Sequence, residues 1–258
     1  MAIPQKAKHI KGTKSYLTNV GAFALYCEHE GQVITWGHAA SGGDSSAVQE
    51  QLKDLKPVRH IYSTPGAFAG ILEDGSVITW GNPNFGGNSA AVQEQLKAVR
   101  SIASTVRAFA AILEDGTVVT WGHPHHGGDS SAVQEQLQGV QQIMTTAKAF
   151  AAILQDGSVV TWGDPESGGD SSAVREQLRA VQHVQATGGA FAAILQDGSV
   201  VTWGDPESGG DSSAVREQLR AVQHVQATGG AFAAILEDGS VVTWGNSEYG
   251  GDSSAVQQ

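Results

Sequence analysis

One cysteine in 258 residues, Cys27, rules out an intramolecular disulfide and any cysteine-based zinc site. That usage suits a reducing compartment. Positive charge is scarce too: 15 Lys and Arg stand against 26 Asp and Glu, a formal net charge of −11. Such a balance favours solubility and opposes binding to phosphate backbones or anionic membrane surfaces, so neither nucleic acid nor membrane is an expected partner. The early lysines Lys6, Lys8, Lys11 and Lys14 read as the solvated side of an N-terminal strand. No stretch approaches the roughly 18 apolar residues of a membrane span, and the opening Met-Ala-Ile-Pro-Gln-Lys lacks a signal-peptide core. The expected location is intracellular, cytoplasmic or nuclear. Catalytic signatures are missing as well: there is no Gly-x-Ser-x-Gly elbow, no P-loop and no His-Glu-x-x-His. Cys27 reads as an inert strand thiol, and the chain as a non-enzyme without a cofactor.

Glycine, by contrast, is abundant, with 33 residues where about 7% of a chain is usual. The glycines recur at fixed offsets, so they mark turns. The fullest example is Ala190 to Gly204, Ala-Phe-Ala-Ala-Ile-Leu-Gln-Asp-Gly-Ser-Val-Val-Thr-Trp-Gly, in which two β-favouring apolar runs flank Asp-Gly. That pattern predicts a hairpin with a type I′ turn. Its Trp-Gly ending appears six times, at Trp36, Trp80, Trp121, Trp162, Trp203 and Trp244, spaced by 44, 41, 41, 41 and 41 residues. Hairpins are expected near 22–37, 67–81, 108–122, 149–163, 190–204 and 231–245, within a single repeat domain spanning 1–258. With Asp197-Gly198 as a two-residue loop, Leu195 would pair with Val200, Ile194 with Val201, Ala193 with Thr202 and Ala192 with Trp203. Both faces of such a hairpin are apolar, so like neighbours must cover both.

A polar loop with a Gly pair follows each Trp-Gly, and then a segment such as Asp170 to Leu178. Ser172 with Arg175 and Ser131 with Gln134 sit at capping-box spacing, while Ala173, Val174 and Leu178 share a face. A short amphipathic helix of two turns is expected there, followed by a further strand over Val181 to Thr187. Each unit thus reads as three strands plus a short helix. The last unit stays near consensus up to Val256, while Ile10 to Leu17 occupy the phase of the segment that would follow it. The fold class expected is mainly β, a six-bladed β-propeller whose ring is closed by joining the N- and C-terminal segments.

Gly229 to Gly245, Gly-Gly-Ala-Phe-Ala-Ala-Ile-Leu-Glu-Asp-Gly-Ser-Val-Val-Thr-Trp-Gly, with Asn246-Ser247-Glu248-Tyr249-Gly250-Gly251-Asp252 after it, resembles the repeat of the regulator of chromosome condensation family. The likeness runs through all six units. It implies a β-propeller, and a role among the exchange factors, chromatin binders, ubiquitin-ligase scaffolds and the plant photoreceptor that make up the family. The present repeat is shorter than the family's, Phe stands where the family usually has His, and neither a wedge loop nor the photoreceptor's Gly-Trp-Arg-His-Thr occurs. No specific activity carries over.

Function is expected where the units differ, in the loop after Trp-Gly: His38 to Ser41, Asn82 to Phe85, His123 to His126, Asp164 to Ser167, Asp205 to Ser208 and Asn246 to Tyr249. Phe85, His123, His125, His126 and Tyr249 are candidate contacts with a protein partner. His123, His125 and His126 are also weak candidates for a transition metal, and Asp164, Glu166 and Asp170 for calcium. The six tryptophans read as packing residues. The combined reading is a non-catalytic, monomeric scaffold for protein–protein interaction. The alternatives are an exchange factor or other enzyme-like regulator using the divergent loops around His29, Lys53 and His125, and a designed or structural array fragment. Residues 164–204 and 205–245 differ only at Gln196 against Glu237, so those two units have not acquired separate chemistries.

Overall fold

The computed structural model describes residues 14–27, 33–49 and 57–255. The segment 1–13 invoked for ring closure, and the loops at His29 and Lys53, lie outside the described residues, as does the Cys27 side chain. Six three-stranded antiparallel sheets of the propeller-blade type account for the described strands. The first sheet holds β1 (Lys14–Thr18), β2 (Ala22–Cys27) and β3 (Val33–Gly37). The second has β4 (Val58–Thr64), β5 (Ala67–Leu72) and β6 (Val77–Gly81). The third has β7 (Val99–Ser104), β8 (Ala108–Leu113) and β9 (Val118–Gly122). The fourth has β10 (Val140–Thr145), β11 (Ala149–Leu154) and β12 (Val159–Gly163). The fifth has β13 (Val181–Ala186), β14 (Ala190–Leu195) and β15 (Val200–Gly204). The sixth has β16 (Val222–Ala227), β17 (Ala231–Leu236) and β18 (Val241–Gly245). The chain forms two compact units, Met1–Pro124 with the first three sheets and His125–Gln258 with the last three.

The hairpins form where expected, but their register is shifted by one residue. Phe191 pairs with Trp203, Ala192 with Thr202, Ala193 with Val201 and Ile194 with Val200. The loop is not a two-residue type I′ turn. Gly198 N–H donates to the Leu195 carbonyl at 3.0 Å and Leu195 N–H to the Ser199 carbonyl at 2.9 Å, which leaves Gln196, Asp197 and Gly198 as a three-residue loop. Only Gly198 has a positive φ, 78°, while Asp197 stays in the ordinary region that a type I′ turn would deny it. The Asp197 carboxylate fixes this choice by accepting from the Ser199 backbone N–H at 2.9 Å and its hydroxyl at 2.6 Å. The one-residue change moves Trp203 to the face of Phe191, whose ring it stacks on at 5.1 Å.

That pairing repeats in all six sheets, with ring centroids 5.0 to 5.3 Å apart. One face of each sheet therefore carries Phe and Trp, and the other Ala, Ile, Val and Thr. Within each unit the second kind of face packs on the first kind in the next sheet. Ala149, Ala151, Ile153 and Val159 of the fourth sheet meet Val181, Val184, Phe191, Val201 and Trp203 of the fifth. The same set recurs between the second and third sheets and between the fifth and sixth. Sheets apolar on both faces are thus covered by their neighbours, as the hairpin composition implied. Adjacent sheets also touch through their first strands and the turns after them: Ser104 Oγ donates to the Ser63 carbonyl at 2.9 Å, and Gly188 N–H to the Gly229 carbonyl at 2.9 Å.

Residues 46–49 of the first repeat are α-helical, but in the segments after Asp170 and Asp211 the expected two-turn amphipathic helix is instead a 3-10 turn, Ser172–Val174 and Ser213–Val215. Its two ends are pinned to the sheets. Ser171 Oγ accepts from Thr161 Oγ1 at 2.9 Å, and Leu178 is buried in the inter-sheet core. So short a run does not repay α-helix nucleation, and the 3-10 form spans more length per residue. The cap is Asp170, which accepts from Ser172 N–H at 2.8 Å, in place of the Ser-based capping box. No helix among the described residues is long and apolar enough to cross a membrane.

Two outcomes follow. Phe191→Ala, which empties a fully buried site stacked on Trp203, should cost about 3–5 kcal/mol in urea unfolding. The turn aspartates Asp115, Asp156, Asp197 and Asp238 are held below the ordinary aspartate value, chiefly by the hydroxyl of Thr117, Ser158, Ser199 or Ser240 and then by that residue's backbone N–H. A depressed folded-state pKa gives stability that is complete above the unfolded value and lost as pH falls through the folded one. Unfolding free energy should therefore be flat above roughly pH 5 and decline below about pH 4. Replacing these four aspartates by Asn should flatten that decline in a pH series of denaturation curves.

Candidate partner-binding face

The loop after each Trp-Gly is built the same way. Asn82, Asp164, Asp205 and Asn246 cap a 3-10 turn with extended backbone, and each side chain accepts from a backbone N–H two or three residues on. Proline at the next position in the first three of these presets the turn. A left-handed glycine then ends it; a Cβ on Gly168 would come within 2.6 Å of the Phe191 ring, so only glycine fits. The loop is tied to the turn between the first two strands of its own sheet. Asp164 N–H donates to the Lys148 carbonyl at 3.1 Å, and Thr146 Oγ1 to the Ser167 carbonyl at 3.0 Å. Thr64 to Phe85, Thr187 to Ser208 and Thr228 to Tyr249 repeat the latter bond at 2.8 to 2.9 Å.

This frame leaves the loop's second and third residues in solvent; the second is proline in four of these loops, and the third, Asn84, His125, Glu166, Glu207 or Glu248, is exposed in all of them. The fourth residue leans back onto the strand turn instead. Phe85 is half-buried there, its ring against Gly66 and its outer side covered by the Arg107 guanidinium at 4.9 Å from the ring centroid. Tyr249 lies against Gly229 and Gly230 but stays 54% exposed. Both aromatics lie opposite a glycine at the strand turn, although glycine there also faces serine, Gly21 with Ser41 and Gly189 with Ser208.

Of the sequence candidates, Phe85 and His123 meet around one residue, Arg107, whose carbonyl accepts from His123 N–H at 2.9 Å. His126 is half-buried and His125 exposed. Among the described residues no group of three His, Cys, Asp or Glu is placed to hold a metal ion. Asp164 and Asp170 are occupied as turn caps. The tryptophans are where packing requires them, with Trp80, Trp121, Trp162, Trp203 and Trp244 buried.

Sequence reasoning missed Arg107 and Lys148, which replace glycine at the strand turn in the third and fourth units. Lys148 borders a cleft of about 580 Å3 in the second unit, together with Asp164, Glu166, Asp205 and Pro206. Its ammonium lies 4.0 Å from Asp164. Three carboxylates against one ammonium leave the cleft acidic.

No family model and no curated protein sequence matches the chain. Solved structures do. Prp20p from Saccharomyces cerevisiae aligns over 90% of this chain and 71% of its own, at 15% identity and a TM-score of 0.53. Yeast RCC1 (Prp20) bound to Kap60 aligns over 91% and 70%, at 15% identity and a TM-score of 0.50. The fold is that of RCC1. Human WBSCR16 matches similarly, over 92% of this chain and 77% of its own, at 15% identity and a TM-score of 0.50. The RCC1-like likeness bears out the propeller repeat implied by the sequence resemblance, and it is a likeness of fold.

The Arg107 cover on Phe85 has a measurable consequence. Arg107→Ala should expose the ring, raising binding of an apolar dye, while lowering stability by no more than about 1 kcal/mol in thermal denaturation.

Proposed function

We propose that this chain is a non-catalytic scaffold that binds a protein partner through its post-Trp-Gly loops, in the cytoplasm or nucleus. The observation that carries the reading is the contrast within each loop. Caps, glycines and threonine bonds are repeated, while the solvent-facing third residue changes from Asn84 to His125 to Glu166. A constant frame presenting variable tips is how a fold acquires a recognition surface without altering its core. Prp20p, similar in fold, is a protein with described binding properties to Gsp1p and histones, which supports a protein as the class of partner.

The second unit's tips are acidic: Glu166, Glu207 and Glu248 are exposed, and Asp164 and Asp205 border the cleft between two of these loops. A basic segment of a partner is the chemistry that complements them, with attraction that weakens as salt rises. A lysine- and arginine-rich peptide titrated against the chain by calorimetry should bind, and Glu166→Gln, Glu207→Gln and Glu248→Gln together should weaken it about 10-fold or more. A control variant at the opposite end of the sheets, Gln155→Ala, should bind as the parent does. Equal loss in both variants, or no binding of the peptide, would remove the loop face from the reading.

A further inference from the structure

The Asp-Gly pairs that turn the hairpins carry a reactivity of their own. In an Asp-Gly sequence the glycine nitrogen can attack the aspartate side-chain carbonyl, because glycine has no side chain to block the approach. Such pairs stand in the turns at Asp74-Gly75, Asp115-Gly116, Asp156-Gly157, Asp197-Gly198 and Asp238-Gly239, and each of these aspartates is exposed. Neither residue can be exchanged for a quieter one without loss of the turn. The glycines have φ of 78° to 83°. A Cβ on Gly75, Gly157 or Gly198 would also come within 2.8 to 3.0 Å of the backbone of Ala98, Ala180 or Ala221. The aspartates fix the loop, and with it the hairpin register, through their bonds to the residue after the glycine.

The folded turn holds both reacting groups. The aspartate Oδ1 accepts from the backbone N–H of Ser76, Thr117, Ser158, Ser199 or Ser240 at 2.9 Å. It accepts from the same residue's hydroxyl at 2.6 to 2.7 Å. The glycine N–H is engaged elsewhere, by the carbonyl of Leu72, Leu113, Leu154, Leu195 or Leu236 at 2.9 to 3.0 Å. In three of the turns the glycine carbonyl is held as well, since Val99, Val181 and Val222 N–H donate to Gly75, Gly157 and Gly198 at 2.8 to 2.9 Å. Ring closure between side chain and amide therefore needs these bonds to break together, a local opening of the loop. Ionisation adds to the hold. The Ser199 hydroxyl and then its N–H keep Asp197 below the ordinary aspartate value, and a carboxylate, unlike the acid, has no hydroxyl to lose as water.

We propose that these turns are latent sites of aspartyl isomerisation, kept silent by the Ser or Thr hold on the aspartate and the Leu hold on the glycine N–H. When a turn opens, the glycine nitrogen bonds to the aspartate Cγ, and the carboxyl hydroxyl leaves as water with the amide proton. Water then reopens the cyclic imide. Attack at the γ-carbonyl restores the original chain, and attack at the α-carbonyl leaves the main chain running through the aspartate side chain. Water leaves and water enters, so mass is unchanged and nothing is oxidised or reduced. The isoaspartyl product adds a methylene to a three-residue loop whose length sets the Phe191–Trp203 pairing. The Ser or Thr is a positioning residue, acting through the aspartate it holds.

The chain contains its own control. Residues 149–175 and 190–216 have the same sequence, so Asp156 and Asp197 sit in identical turns. Parent and Ser199→Ala chains, kept folded in warm neutral buffer, are digested with trypsin after set times. Isoaspartate is then measured chromatographically in the peptides that begin after Lys148 and after Arg179. In the parent, both sites should isomerise at least about 10-fold more slowly than a free peptide of residues 192–202. Ser199→Ala should raise the rate at Asp197 about 10-fold over that at Asp156 in the same molecules. Ser199→Thr should match the parent, since Thr117 makes the same pair of bonds in the third sheet. A general loss of stability would raise both sites together, so the ratio between them reads the hold itself. Equal rates at Asp197 and Asp156 in Ser199→Ala would overturn the proposal. So would a folded parent that isomerises as fast as the free peptide.

Discussion

The bond from the indoles of Trp80, Trp121, Trp162, Trp203 and Trp244 to a glycine carbonyl of the preceding loop, at 3.0 to 3.1 Å, is what the rest of the structure rests on. It joins sheets that share no ladder hydrogen bonds, and it does so in a dry, apolar setting where such a bond is strongest and its loss most costly. The geometry that allows it is narrow. The glycine must be left-handed to turn its carbonyl toward the indole, and it must lack a Cβ to accept the Phe ring against it. Phe must pair with Trp across the hairpin, so the register must be the observed one. The three-residue loop closed by Asp197 and Gly198 sets that register. A carboxylate at one end of the hairpin thus determines which side chains reach the neighbouring sheet at the other.

From the same lock comes the division between what repeats and what varies. The loop after Trp-Gly begins beside the buried tryptophan and ends at the glycine that serves the next one. Its first, fifth and sixth residues are committed to caps and turns. Only the second and third residues are released from packing in these loops, and the third carries most of the variation. Variation there, Asn84 against His125 against Glu166, is tolerated because those side chains carry no part of the inter-sheet core.

Much of this was legible in the sequence. The period, the three strands of each unit, the packing role of the tryptophans and the need for apolar cover on both faces all follow from where glycine, tryptophan and β-branched residues recur. What misled was local. Asp-Gly predicts a two-residue turn when considered alone, and the residue that decides otherwise is the Ser or Thr that follows, whose hydroxyl and N–H hold the aspartate. The helix-like segment around Ala173 has helical composition, but its ends are tied down by Thr161 and the inter-sheet core, which spacing along the chain does not reveal. At the candidate site, Phe85 was legible as a variable aromatic and not as a covered one. Its cover, Arg107, comes from the next sheet and is adjacent only once the sheets stack.

The two nearly identical units make the remaining point about energetics. Residues 164–204 and 205–245 differ at one position, yet Ile194 is buried and its counterpart Ile235 is not. Composition, propensity and turn chemistry are the same for both, so the difference lies wholly in what lies against the sheet. In a stack of this kind stability is a sum of sheet terms and nearest-neighbour interface terms, and the interface terms are where the apolar burial and the indole bonds reside. A sheet of this repeat therefore has no fixed stability of its own. The same fifteen-residue hairpin is a core element when flanked on both faces, and a partly exposed one, with Ile235 at 41%, when one face is less covered.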